Sequence, residues 1–247
     1  MKIIITETQY KFLKEEMSEE PNLYLIDLDD DVREINDQDK LEFAYDRFKK
    51  FENKFDGIQL KCNFLRLYMF KYRNPEKSQK IQEIFNKVIE FVGNIEGTIE
   101  DSYKNFPKLK KVYGVINFAN DLPELEVVTK DLIFSGEKLD KLKKVGGNFK
   151  FGINCTSLPE LEYVGGSLDG TRYLEELPKL KRVGGGLNLL NSNIEDLPEL
   201  VEVGDYLDLE NTPLSKRLRE GGMTEDDVRK KYNVKGKVYL YDENNNN

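Results

Sequence analysis

Six segments of this chain share one register, beginning at Phe106, Leu122, Leu139, Leu158, Leu177 and Leu197, with successive starts 16, 17, 19, 19 and 20 residues apart. They read FPKLKKVYGVINF, LPELEVVTKDLIF, LDKLKKVGGNFKF, LPELEYVGGSLDG, LPKLKRVGGGLNL and LPELVEVGDYLDL, giving the consensus L-P-x-L-x-x-V-G-G-x-L-x-L. A unit this short cannot bury its own apolar face, so the units must stack, each covering the next. The spacing of Leu158, Leu161 and Val164 predicts a short helical or 3₁₀ turn, with Pro159 suited to its first position. Gly165-Gly166 is expected to reverse the chain sharply, and the alternation that follows (Leu187 in, Asn188 out, Leu189 in) predicts a short strand. Strands stacked at about 4.8 Å give a parallel ladder with a core about 29 Å long. Its expected columns are Val112, Val128, Val145, Val164, Val183, Val203 and Ile116, Leu132, Phe149, Leu168, Leu187, Leu207.

Charge alternates from coil to coil. The residue after the Pro position runs Lys108, Glu124, Lys141, Glu160, Lys179, Glu199, and two places on it runs Lys110, Glu126, Lys143, Glu162, Lys181, Val201. Equivalent positions of a solenoid lie above one another, so each Lys has Glu neighbours, and a slip by one coil would stack like charges. This register-setting role explains Lys110-Lys111, Lys143-Lys144 and Lys181-Arg182 better than a nucleic-acid patch, because carboxylates interleave them. Residues 1–105, 106–213 and 214–247 carry net charges of −5, −5 and +2, and no segment is basic enough to track phosphates.

The repeats resemble short leucine-rich repeats, and their V-G-G-x-L-x-L core is similar to that of receptor L domains over about residues 106–214. They lack a consistent Asn after the strand, and their coils are shorter than usual. The resemblance implies ligand binding along the exposed strand face and names no ligand. The opening MKIIITETQY and the closing LSKRLREGGMTEDDVRKKYNVKGKVYLYD resemble small accessory proteins of tailed bacteriophages.

Residues 1–105 do not share the repeat, and their pattern reads as mainly helical, a domain or a cap on the first coil. Ile3-Ile4-Ile5 suits a strand, and Thr6 with Gln9 caps a helix burying Tyr10, Leu13 and Met17. Leu41, Ala44, Phe48, Phe51 and Phe55 mark an amphipathic helix, and the apolar stretch 58–72 reads as a buried one. Asn74-Pro75 opens a further helix with Ile81, Ile84, Phe85, Val88 and Val92 inward and Gly93 ending it. Residues 215–247 form a C-terminal cap: a helix from Thr224 to Lys231 with acids first and bases last, then a strand at Val238-Tyr239-Leu240-Tyr241, then a disordered tail over Glu243 to Asn247. The expected class is therefore α+β, a helical N-terminal domain followed by a parallel β-solenoid and a helix-and-strand cap.

The chain has no histidine, which removes imidazole acid–base work, histidine-activated nucleophiles and histidine metal ligation together. Cys62 and Cys155 lack C-x-x-C spacing and read as buried reduced thiols. Asp27, Asp29 and Asp31 match the start of an EF-hand loop, but Val32 replaces its glycine and Gln38 its bidentate glutamate. Gly165-Gly166-Ser167-Leu168-Asp169 departs from calcium-binding β-helix repeats, and no glycine pair belongs to a phosphate-binding loop. Carboxylate pairs alone can cleave glycosides, yet a carboxylate beside a lysine stays ionised, the wrong state for a general acid. No catalytic residue, metal or cofactor is expected.

Two outward columns remain: Val115, Asp131, Asn148, Ser167, Gly186, Tyr206 and Asn117, Ile133, Lys150, Asp169, Asn188, Asp208. They vary where the core columns do not, as a binding face on a fixed scaffold would. Ile133, Lys150, Asp169, Asn188, Tyr206 and Asp208, with Arg172 and Tyr173 on an adjacent loop, are the expected contacts. The expected function is non-catalytic binding of another protein, as a bacteriophage accessory protein engaging a host or virion protein. Three alternatives stay open: an inhibitor of a host defence or metabolic enzyme, a self-assembling structural component, and a histidine-free carboxylate hydrolase in the N-terminal region. No apolar run reaches the roughly 20 residues that span a bilayer, and no signal-peptide core follows Met1, so the expected location is the cytoplasm, that of the host if the chain is viral.

Overall fold

Each L-P-x-L segment closes a single hydrogen-bonded turn, as its spacing predicts: Leu161 N donates to Leu158 O at 3.3 Å, and the same bond recurs at 3.1 Å from Leu125 to Leu122 and from Leu142 to Leu139. The proline sits where no donor is needed. The computed structural model describes residues 23–27, 45–46, 48–50, 52–66, 79, 82–96, 106–118 and 121–240.

After the turn, each coil runs through two short strands. They are β4 (Lys111–Tyr113) and β5 (Ile116–Phe118), β6 (Val127–Val128) and β7 (Leu132–Phe134), β8 (Lys144–Val145) and β9 (Phe149–Phe151), β10 (Tyr163–Val164) and β11 (Leu168–Asp169), β12 (Arg182–Val183) and β13 (Leu187–Asn188), and β14 (Glu202–Val203) and β15 (Leu207–Asp208). The first strands of the pairs form one parallel ladder and the second strands another. The two ladders meet on a single strand, β3 (Val88–Glu96), whose Glu90–Val92 pairs with β4 and whose Ile95–Glu96 pairs with β5, both in parallel. The glycine pairs therefore mark a corner and do not reverse the chain. Thr129-Lys130 makes the same corner without glycine. What demands glycine is close stacking: a Cβ on Gly165 would overlap the carbonyl oxygen of Gly146 in the coil before.

Both expected core columns are in register, and every member is at most 1% exposed. The Lys–Glu alternation also forms. Lys141 meets Glu124 at 2.7 Å, Lys179 meets Glu160 at 2.7 Å, Lys143 meets Glu126 at 3.4 Å, and Lys181 lies 3.2 Å from Glu162 and 3.7 Å from Glu199. The hydrogen bond to Glu162, its strongest influence, raises the pKa of Lys181.

The N-terminal expectation needs correction over the described residues. The stretch read as a buried helix is, over its described part, a strand, β2 (Gly57–Arg66), and Val88, Val92 and Gly93 lie in β3; of the helix expected from Asn74 to Gly93, the described residues are helical at 79 and 82–85 and leave the helix before Val88. The strand β1 (Leu23–Asp27) pairs with β2, and β2 with β3, all in parallel, which continues the solenoid sheet by three strands. The physical reason lies in the spacing. Phe85, Val88, Phe91 and Ile95 fit a helix face about as well as they fit the repeat, because both periods bring every third or fourth residue inward. Helical residues remain at 45–46 and 48–49, in the span expected to be helical, before a 3₁₀ turn at Glu52–Lys54. The expected strand at Ile3 to Ile5, the helix after Thr6 and most of the acidic run after Asp27 lie outside the described residues.

At the other end, Thr212 caps helix α1 (Pro213–Glu220), with Ser215 N donating to its hydroxyl at 3.0 Å. Helix α2 (Glu225–Lys231) begins on Thr224 in a capping box with Asp227, whose pKa is lowered chiefly by the hydroxyl hydrogen bond from Thr224. The strand β16 (Val238–Tyr239) then covers β15, as its alternation predicts. Cys62 and Cys155 are buried, and neither takes part in a disulfide. Among the described residues no helix is long and apolar enough to cross a membrane.

Candidate functional site

The corner column is occupied by structural hydrogen bonds. Asp131 Oδ1 accepts from Asn148 N at 2.7 Å, Asn148 Oδ1 from Ser167 N at 2.9 Å, and Ser167 Oγ from Gly186 N at 3.1 Å. Two coil steps before Asp131, Asn94 Oδ1 accepts from Val115 N at 2.9 Å. The corner interrupts the backbone ladder, and these short polar side chains satisfy the freed N–H groups of the next coil. Gly186 ends the series because the Tyr206 ring lies against it.

The second outward column is a surface. Asn117, Ile133, Lys150, Asp169, Asn188, Asp208 and Tyr239 follow one another in register on successive second-arm strands. Ile133 is 43% exposed and Lys150 is also exposed, while Asp169, Asn188 and Asp208 are half-buried. Asn188 and Asp208 each turn one oxygen onto a nearby backbone N–H, of Leu190 at 3.1 Å and Glu210 at 3.0 Å, which fixes their side chains at the strand ends.

Tyr206 and Tyr239 close the column at the C-terminal end, edge to face with ring centroids 6.4 Å apart. Burial raises the Tyr206 pKa, helped by the carboxylates of Asp169, Asp208 and Asp205. Arg172 stacks its guanidinium 4.7 Å from the Tyr173 ring on the loop beside the strands.

Seven of the eight residues expected to bind thus divide into a strand-face row, Ile133, Lys150, Asp169, Asn188 and Asp208, and a loop pair, Arg172 and Tyr173. The eighth, Tyr206, belongs to the corner column and joins the row through Tyr239. Tyr239 was missed as a site residue; its signal was the V-Y-L-Y alternation, already read as a capping strand. Among the described residues no cluster of three ligand-type side chains could hold a metal ion. Comparison with known proteins finds no matching family model, no matching curated protein and no matching solved structure.

Proposed function

We propose that this protein is a non-catalytic module that binds another protein through the second-arm strand face. The observation that carries the reading is the contrast between the two sides of one strand row. Inward, the column is uniformly apolar and buried; outward, seven in-register side chains present amide, aliphatic, cationic, anionic and aromatic groups on a rigid backbone. Mixed side chains on a fixed scaffold give a partner distinct contacts at each step, with the exposed aliphatic and aromatic groups contributing most. The coils are read as leucine-rich-repeat-like, and the phage-like termini direct the search to host and virion proteins met in the cytoplasm of an infected cell, where blocking a host enzyme is one outcome of binding.

The test is an affinity capture comparing the intact chain with Ile133→Glu/Lys150→Glu/Tyr206→Ala, after circular dichroism shows that both fold alike. A stoichiometric partner retained by the intact chain and lost by the variant supports the reading. A partner held equally by both overturns the assignment of this face.

A further inference from the structure

The outward row of the second-arm strands complements its own reverse. Ile133, Lys150, Asp169, Asn188, Asp208 and Tyr239 occupy directly paired positions on successive strands. Laid against a second row running the other way, Ile133 meets Tyr239, Lys150 meets Asp208 and Asp169 meets Asn188. Aliphatic thus faces aromatic, cation faces anion and carboxylate faces amide. Other alignments lose this match. Sliding the reversed row by one coil step sets Asp169 against a second Asp169 or against Asp208. Sliding it by two steps sets Tyr239 against Glu96, which pairs with Asn117 at the head of the row, or carries Lys150 past the last strand.

A two-fold axis produces this alignment. If it lies in the interface, parallel to the strands and midway between Asp169 and Asn188, it turns one copy over onto another with the coil order reversed, and every contact is made twice. The same axis lays corner column on corner column, with Ser167 against Gly186 and Asn148 against Tyr206. The exposed Lys237, whose carbonyl accepts from Leu207 N one coil past Tyr206, then falls opposite Asp131. The groups so matched are ones that a single chain leaves open. Ile133 and Tyr239 are exposed apolar side chains, and Lys150 is exposed and, among the described residues, in no ion pair. Asp208 uses one carboxylate oxygen on the Glu210 N–H and has the second for another donor.

We propose that a second copy of this chain covers the strand face, the two rows antiparallel, with Lys150 of each copy on Asp208 of the other and Ile133 on Tyr239. The strip they cover is about 29 Å long and about 15 Å wide. Both copies together then bury on the order of 900 Å², the low end for a specific interface, so the dimer is weak, with a Kd of about 10 to 100 µM. The inference shares the face assigned above without resting on its foreign partner, which would displace the second copy.

The test is sedimentation equilibrium of the full chain over about 5 to 500 µM, a range that brackets the expected Kd. Lys150→Asp and Asp208→Lys each set like charges together twice, so each should raise the Kd about a hundredfold or more. An equimolar mixture of the two should dimerise again, because the two substitutions face each other across one pair and the native Lys150 and Asp208 across the second. Asp208→Asn keeps an oxygen for the Glu210 N–H and should still weaken the dimer about tenfold. Circular dichroism confirms the fold of each variant first. A chain that stays monomeric throughout, an Asp208→Asn variant that dimerises like the intact chain, or a mixture of folded variants that stays monomeric would each overturn the inference. The first of these results leaves the foreign-partner reading standing, since that reading is decided by capture.

Discussion

Strand β3 and the six repeat coils occupy the same places with different residues. Phe85, Val88, Phe91 and Ile95 fall at the spacing of Phe106, Leu109, Val112 and Ile116, and all eight are buried. Yet β3 runs unbroken for nine residues with one glycine, Gly93 at φ +131°, where the repeats break into two strands, several at a glycine pair. The coil is therefore specified by its apolar columns and its backbone ladder. The glycines answer a narrower need, the close approach of one corner to the next.

Gly184→Val tests that distinction most severely. Its Cβ would overlap the Gly165 carbonyl, a backbone atom that cannot move aside, so a loss of more than about 3 kcal/mol is expected in urea unfolding. Thr129→Val, at the equivalent, half-buried place of a coil that already carries a β-branched side chain there, adds no new clash and should cost less than about 1 kcal/mol. Similar losses in both would mean that the corner, and not its stacking, demands glycine.

The same comparison explains what the sequence revealed. Leu, Val and Gly recur in the repeats at identical offsets, so their register, columns and charge alternation were readable from Phe106 onward. In 85–95 the signal survives only as F-N-K-V-I-E-F-V-G-N-I, with Asn86 for Pro and Phe91 for Val, and its inward spacing also fits a helix. The corner column was unreadable for another reason. Asp131, Asn148 and Ser167 look like ordinary solvated residues, and their hydrogen bonds to the following coil exist only once the coils stack.

If β3 belongs to the stack, Phe91→Ala should lower stability by about 3 to 5 kcal/mol, the usual cost of emptying an aromatic site in a core. The loss should appear in the same cooperative transition as that of Leu187→Ala. A separate early transition for Phe91→Ala would divide the sheet at β3 and break the comparison.

A buried thiol offers a probe confined to the repeat side. Burial pushes the Cys155 pKa up to about 11 from an ordinary 9.0. The neutral form is thus favoured in the folded chain, and this contribution is fully present below pH 9 and lost as pH rises toward 11. Two pH units correspond to at most about 2 to 3 kcal/mol. Thermal melting followed from pH 8 to 11 should fall more steeply for the intact chain than for Cys155→Ala, the difference removing the lysine and tyrosine titrations common to both. Parallel curves would contradict the burial.

The Lys–Glu edge should give the smallest effect, and that smallness is informative. Lys179 meets Glu160 at 2.7 Å with its side chain 45% exposed, so solvent and salt screen the pair. Lys179→Met is expected to cost less than about 0.5 kcal/mol and to lose even that at high salt. Lys179→Glu should cost more, because it places a third carboxylate between Glu160 and Glu199 and recreates the like-charge stacking that the alternation avoids. If the neutral variant were as costly as the reversed one, the ladder would act through attraction. If only the reversal is costly, it acts by penalising the wrong register, a task that β3, with Glu90 bound by Gln59 at 2.8 Å and facing Lys111 at 3.8 Å, performs by a single buried contact set.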